Sequence, residues 1–376
     1  MFLHLDLDCF FVSAHRTLDD SLLDIPVAVG GRSNVNIFSS KKEVREISTA
    51  SGAFVSTILT NEGKKTFKEY FVDENGKIRG IITTSSYEAR KYGVKTAMSV
   101  NEALVLCPHL KMLPLNYPLY HELSIKLRDL LAKEVPLLEQ FSIDEFFADV
   151  TGYIDESEIE EFALYLKKKI FDELKLPISI GIANTKYLSK LITEYAKPDG
   201  IKYVSAQNVE SFIHDIPIRE FPGIGKAFQE RLKGYGIKTL GDIRKNQKLF
   251  YSWKKSGIDL YNRVCGIRDN KLSFEREKKS IGIGRTFDVI YNRDELRRRV
   301  MLLSRYLCFL VKKDNVNPLT YAITKRHENK STSKNLINVN RIFNEMDCKA
   351  QMVKLFDETD NHKTYGIVQL YITVFN

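Results

Sequence analysis

The stretch "EQFSIDEFFADVTGY", residues 139–153, sets two adjacent carboxylates, Asp144 and Glu145, among aromatic and aliphatic residues that otherwise read as strand core. An ionised carboxylate among apolar neighbours is costly unless a cation or good hydrogen bonds compensate it. Two side by side therefore imply a positive charge nearby. In a straight strand these neighbours would point to opposite faces. They can address one place only where the backbone turns, and "LLEQFSIDEFFADV" reads as strand, tight turn and strand.

A second acidic pair opens the chain. "FLHLDLDCFFVSA" (2–14) alternates and then becomes helical, with Asp6 and Asp8 at i and i+2, so a strand through both would place them on one sheet face. Hard divalent ions such as Mg²⁺ take oxygen ligands and keep waters, so a few carboxylates plus substrate phosphates complete a shell without His or Cys. That composition suits phosphoryl chemistry rather than zinc hydrolysis. The structural alternative is that these acids cap turns or pair with lysines on a solvated edge. Two clusters embedded in apolar runs weigh against it.

The bulk numbers frame this. With 376 residues and 43% hydrophobic content the chain can bury a large core, and its length suggests two to four domains. No apolar run reaches the roughly 18 residues of a membrane span, and the first residues carry acids where a signal peptide carries bases, so the cytoplasm is the expected location. Five scattered cysteines without a CxxC spacing read as reduced core thiols. The net charge of +9 divides unevenly: residues 205–376 hold 32 Lys+Arg against 19 Asp+Glu (+13), and residues 1–204 hold 25 against 29 (−4). Such a split is expected when one half grips a polyanion and the other holds acids for a metal.

Along the chain, "IPVAVGG" (25–31) reads as a short strand, and "FKEYFVDENGKIRGIITT" (67–84) as a strand, an Asn75-Gly76 turn and a strand. Helix, turn and helix follow from Ser85 to Pro108, then an amphipathic helix over 118–135, a helix over 158–174, a β run "PISIGIA" (177–183) and a helix from Thr185. Residues 205–271 switch to short helices with glycine turns. The segment 272–279 is a charged linker, and strands with amphipathic helices beyond it make a second α+β domain.

In order, "HLDLDCFF" (4–11), "SYEARKYGVKTAMS" (86–99), "FSIDEFFADVT" (141–151), "AKPDG" (196–200), "FPGIGK" (221–226) and "KSIG" (279–282) resemble the Y-family (translesion) DNA polymerases, particularly the bacterial DNA polymerase IV branch. The resemblance implies an α+β multidomain right hand: palm 1–10 and 117–204, fingers 11–116 with an insertion within about 32–80, a helix-hairpin-helix thumb 205–271, and an α+β little finger 280–376 after the linker. It implies a DNA-directed DNA polymerase that adds dNTPs to a primer 3′-OH with two Mg²⁺ ions, at low fidelity and without proofreading. Asp6 and Asp144 then bridge the metals, Glu145 is the third catalytic carboxylate, and the Leu7 carbonyl is a further ligand. Asp8 is either a ligand or structural. Thr84, Tyr87, Arg90 and Lys197 hold the triphosphate, Phe11 is the steric gate against a ribose 2′-OH, and Gly223, Gly225 and Lys226 meet DNA phosphate.

Implied partners are primer–template DNA and dNTP, with a sliding clamp to be weighed, in a monomer without membrane contact. Family members often end in a clamp-docking peptide beginning Gln-Leu, and Gln369-Leu370 fits it. Against that, Val368, Leu370, Ile372 and Val374 alternate as one aliphatic strand face, and the strand is the expectation. A non-catalytic helix-hairpin-helix DNA binder would leave the acids unexplained. A palm-type nucleotide cyclase would need paired glycines before the acids, which are absent. Primer extension separates all three.

Overall fold

The computed structural model describes residues 1–33, 35–38, 63–267, 272–274, 279–359 and 365–375. In chain order the first elements are β1 (Phe2–Leu7), α1 (Phe10–Arg16), β2 (Val27–Gly31), α2 (Phe67–Phe71), β3 (Ile81–Ser85), α3 (Tyr87–Lys91), α4 (Val100–Leu106) and β4 (Lys111–Pro114). Then come α5 (Tyr117–Glu134), β5 (Leu137–Gln140), β6 (Glu145–Asp149), α6 (Ile159–Leu174), β7 (Ile178–Ala183), α7 (Lys186–Glu194) and β8 (Ile201–Tyr203). Short helices follow: α8 (Val209–Ile213), α9 (Lys226–Lys233), α10 (Leu240–Lys245), α11 (Gln247–Ser252) and α12 (Lys254–Cys265). The chain closes with β9 (Ser280–Ile290), α13 (Arg293–Lys313), β10 (Thr320–His327), β11 (Thr332–Asn338), α14 (Glu345–Glu358) and β12 (Ile367–Phe375).

These elements form two compact units, one from the described residues of 1–30 and 61–274, the other from those of 31–38 and 275–376. In the first, a sheet of order β5-β6-β1-β7-β8 has β1 at its centre, antiparallel to both neighbours. All six residues of β1 are buried. Alternation sends Leu3, Leu5 and Leu7 into the core shared with α5 and α6. It sends His4 and Asp6 to the face that α7 covers, where His4 shares a hydrogen bond with Thr193. A smaller sheet, β3-β2-β4, carries α3 and α4 beside it. There Gly30 is required by close approach, since a Cβ would lie 2.8 Å from the buried Phe71 ring.

The hairpin expected over 67–84 is corrected. Its turn exists, with Gly76 at φ 73° and Asp73 accepting from the N–H groups of Asn75 and Lys77, both at 2.9 Å. Its first arm is instead the helix α2, started by a capping box between Thr66 and Glu69. Only a Val72–Ile78 bridge pairs across the turn. Two reciprocal hydrogen bonds at the start of a short amphipathic run outweigh the β propensity of Tyr70, Phe71 and Val72. Asn34 and 39–62, most of the expected insertion, lie outside the described residues, as do 275–278 of the expected linker. Ile37 and Phe38 are buried in the core of the second unit, where Phe38 meets the Phe287 ring edge-on at 6.0 Å.

The second unit is an antiparallel sheet, β11-β10-β12-β9, with α13 and α14 packed on one face. The C-terminal stretch is thus an inner strand, hydrogen-bonded on both edges. Leu370, Ile372 and Val374 enter the core as the alternation predicts. A register shift between Ile367 and Gln369 breaks the pattern, so Ile367 is buried as well and Val368 leaves the face.

Deleting residues 369–376 removes an inner strand and three core side chains, each worth about 2–5 kcal/mol when truncated. The expected result is loss or a large drop of the cooperative melting transition of the second unit, with weaker DNA binding. Calorimetry that finds the melting profile unchanged, with only clamp stimulation lost, would instead favour a docking peptide.

Candidate active site

The acidic corner is built by register. β1 and β6 pair so that Asp6 lies opposite Glu145, and the Leu7 N–H donates to the Asp144 carbonyl at 3.0 Å. The turn between β5 and β6 is closed by the N–H groups of Phe141 and Ser142 donating to the Glu145 carbonyl, at 2.9 and 3.1 Å. Ser142 Oγ donates to Asp144 Oδ1 at 2.5 Å and orients it. Register and turn thus set Glu145 beside the strand residue Asp6, while Asp144, whose charge reaches Asp6, stays outside the tightest group of ligand atoms. His4, Asp6 and Glu145 each offer a ligand atom within 4.8 Å of the others.

Two lysines compensate the acids. Lys190 Nζ donates to Glu145 Oε1 at 2.6 Å. Lys197 Nζ donates to Asp6 Oδ2 at 3.0 Å and to Glu194 at 2.7 Å. Burial nevertheless pushes the Asp6 carboxyl up from 3.8 to about 7, with Lys197 opposing and Glu145 and Asp144 adding to the rise. Burial also raises Asp144, against the Ser142 hydrogen bond. Burial, then the charges of Lys190, Lys197 and Lys186, hold His4 well below its ordinary value, so its imidazole is neutral. Its Nε2 is buried without a hydrogen-bond partner, 4.0 Å from Glu145 Oε2.

Asp8, expected in the same strand as Asp6, lies one residue beyond its end. β1 ends at Leu7, and Cys9 takes a left-handed φ of 48° that turns the chain into α1. Asp8 is 3% exposed and accepts from Tyr87 Oη and Ser179 Oγ, each at 2.8 Å, and from the Asp199 N–H at 2.7 Å.

Among the other predicted residues, Tyr87 and Arg90 come together on α3, the guanidinium 4.7 Å from the ring centroid. Burial, then the charge of Asp8, pushes the Tyr87 phenol well above its ordinary range, so it remains a donor. Thr84 is half-buried on β3, next to Thr83, which donates to the Val29 carbonyl at 2.8 Å. Phe11, also half-buried, stacks on the fully buried Tyr120 at 4.2 Å with 10° between planes. Gly223, Gly225 and Lys226 lie apart from the acids, in an exposed turn at the start of α9. Gly223 has φ 95°, and buried Ile224 anchors the turn between the exposed glycines.

Sequence reading missed Lys190, His4, Ser142 and Ser179. A signal existed for two of them: His4 continues the Asp6 alternation by two residues, and Lys186, Lys190 and Thr193 share a helix face at spacings of four and three. Ser142 and Ser179 carry no local mark.

Carboxylates gathered at one end of the inner strands of a β-sheet, with basic groups and a helix-hairpin-helix turn elsewhere in the same unit, define a nucleotidyltransferase of the right-hand polymerase class. Residues 5–194 match the impB/mucB/samB family, and residues 206–237 match the HHH motif of the same family. The chain belongs to this family, the Y-family DNA polymerases, and is a DNA-directed DNA polymerase of the translesion type. It is 32% identical to DNA polymerase IV of Cronobacter sakazakii (strain ATCC BAA-894) over 287 residues, covering 76% of this chain and 70% of that protein. It is 33% identical to DNA polymerase IV of Serratia proteamaculans (strain 568), covering 76% and 69%. The fold matches a Y-family DNA polymerase chimera, Dbh-Dpo4(243-245)-Dbh, with a TM-score of 0.78 at 21% identity over 100% of this chain and 98% of that one. DinB from Sulfolobus solfataricus gives a TM-score of 0.56 at 21% identity. The architecture is accordingly palm, fingers, thumb and little finger, and neither the non-catalytic binder nor the cyclase is the class.

The raised Asp6 value has a consequence for stability. Without metal, the folded protein holds this proton more tightly than the unfolded chain, so the contribution is complete below pH 3.8 and is lost as pH rises to about 7. In chelator, Asp6→Asn should gain melting temperature relative to the parent as pH is raised through that window. Parallel Tm–pH curves would show that Asp6 does not titrate there.

Proposed function

We propose that this polymerase extends a primer 3′-OH with dNTPs at the corner of β1 and β6, where Asp6, Asp144, Glu145 and the Leu7 carbonyl would hold two Mg²⁺ ions. The donor set fits such hard ions, being mostly carboxylate oxygen, with one buried acid whose charged form is disfavoured until a cation arrives. When bound, the ions lower the pKa of the primer hydroxyl and neutralise triphosphate oxygens. The single observation that supports this reading is the pairing of Asp6 with Glu145 through strand register, with Asp144 next to them in one tight turn.

The chain's own residues supply the rest. Lys197, Arg90, Tyr87 and Thr84 bind and orient the triphosphate, by charge and by hydroxyl donation. Tyr120 braces Phe11, whose ring excludes a ribose 2′-OH. Backbone N–H groups at Gly223 and Gly225, with Lys226, receive DNA phosphate at the start of α9. On the sheet face of the second unit, Thr324, Arg326, Lys330, Thr332, Gln369 and Tyr371 line a shallow polar concavity suited to a DNA strand. In this reading residues 1–10 and 117–204 are the palm, 11–116 the fingers with their insertion, 205–271 the thumb and 280–376 the little finger, joined by 272–279. The enzyme works on primer–template DNA in the cytoplasm as a monomer. A clamp, where one is engaged, meets a surface other than β12.

Asp144→Ala or Glu145→Ala should lower nucleotide addition by several orders of magnitude while primer–template affinity stays within about twofold, since the acids act on the transition state and phosphate contacts supply binding. Primer extension beside a salt-matched binding titration measures both. Extension at the parent rate in either variant would sink the assignment.

Phe11→Ala should reduce the dNTP-to-rNTP ratio of kcat/KM by roughly one to two orders of magnitude, because the clash with the 2′-OH disappears. An unchanged ratio would reject the gate.

A further inference from the structure

Asp8 is the most fully engaged buried acid near the site, and the chemistry above does not use it. Its three donors come from three places: Tyr87 on α3, Ser179 on β7, and the main chain of Asp199 in the loop that carries Lys197. Its own backbone is tied as well, its N–H donating to the Pro177 carbonyl at 3.0 Å and its carbonyl accepting from Ser13 at 2.5 Å. A carboxylate so engaged has both oxygens committed, Oδ1 to Tyr87 and Oδ2 to Ser179 and Asp199, whereas the partner of Asp6 is Lys197. The far side of the Asp199 loop is held by Lys167, 3.1 Å from Asp199 Oδ2.

We propose that Asp8 is a positioning residue for the incoming nucleotide. It joins the Tyr87–Arg90 pair to the Lys197 loop through one fixed carboxylate, so that the two halves of the triphosphate site hold their separation before a nucleotide arrives. The inference rests on the reading that Tyr87, Arg90 and Lys197 bind the triphosphate.

The geometry adds a constraint on Tyr87. A phenol has one hydrogen to donate, and here it points to Asp8 Oδ1. A phosphate oxygen can take that hydrogen only by replacing Asp8 as acceptor, so Asp8 keeps the hydroxyl oriented in the free enzyme and yields it on binding. Asp8 then still accepts from Ser179 and Asp199, which keeps the loop in place. The effect belongs in nucleotide affinity rather than in the chemical step.

The test is single-nucleotide insertion by the full-length protein on a primed template with Mg²⁺, measuring KM for dNTP and kcat separately, with the melting temperature alongside. Asp8→Asn retains the shape but presents an NH₂ where an acceptor stood. It should raise KM about tenfold or more with kcat within about threefold. Tyr87→Phe removes both the bond to Asp8 and the donor to phosphate, so it should raise KM in the parent and again, by a smaller factor, in the Asp8→Asn background. Should Asp8→Asn fail to fold, Ser179→Ala removes one donor and should raise KM by a few fold with kcat unchanged.

A fall in kcat with KM unchanged and a higher Mg²⁺ requirement would make Asp8 a metal ligand and overturn the proposal. So would independent, multiplying effects of Asp8→Asn and Tyr87→Phe, or an unmoved KM in both Asp8→Asn and Ser179→Ala. Arg90→Ala and Lys197→Ala separate the two levels. If neither raises KM, the triphosphate reading itself fails; if they do and Asp8→Asn does not, only the positioning role falls.

Discussion

Asp6 sits in the central strand of a sheet covered on both faces, and much of the first unit is arranged around the cost of that carboxylate. Burial raises it to about 7, so the ionised form needs cations held close. Lys197, just beyond α7, supplies one to Asp6, and Lys190, seven residues earlier on α7, serves the neighbouring Glu145. That helix-and-loop segment is fixed to the sheet by Thr193, whose hydroxyl shares a hydrogen bond with the His4 ring at 2.8 Å. The position of α7 is therefore an electrostatic requirement as much as a packing one. Removing one partner of such a buried pair leaves a charge exposed to low dielectric, at about 3–5 kcal/mol.

A similar logic operates one layer out. Glu139, 2% exposed on β5, pairs with Lys186 of α7 at 2.5 Å and accepts from the Ser273 N–H at 2.8 Å. Lys186 also lies 4.7 Å from the Phe147 ring centroid, and Phe147 with Phe2 forms the apolar seat of Leu272. Charge and apolar contact thus fasten residues 272–274 to the same sheet that carries the acids. Aromatic rings do the corresponding work beyond β1, where Phe11 is held by Tyr120, whose hydroxyl bonds to His15 at 2.9 Å. A ring stacked on a buried neighbour has little freedom to swing aside, as the proposed gate role of Phe11 requires.

The acids at 144 and 145 were legible because a turn between two apolar alternating runs is a local pattern. The helices over 117–134, 159–174 and 186–194 were legible for the same reason, since apolar spacing of three and four reports a buried stripe. The last strand was legible in its aliphatic face but not in its bulge, because a register shift arises from pairing with β9 and β10 rather than from the strand's own composition. The helix at 67–71 was misread as strand, although Thr66 and Glu69 carry the spacing of a capping box.

By itself the sequence determined the order of motifs and the split between an acidic front and a basic back, and it singled out the residue types of the proposed site, carboxylates suited to a hard cation and basic groups suited to phosphate. Tertiary structure alone decided which groups meet. Asp8 looked equivalent to Asp6 in an alternating run, but the strand ends one residue before it, and its partners Ser179 and Asp199 lie 171 and 191 positions away. Ile37 and Phe38, close in sequence to β2, are buried with α13 and β9. Hydrophobic period and turn chemistry depend on neighbours within a few residues and can be read along the chain. Hydrogen-bond partners and charge compensation across such distances depend on which faces the folded core leaves opposite one another, and those exist only once the chain has packed.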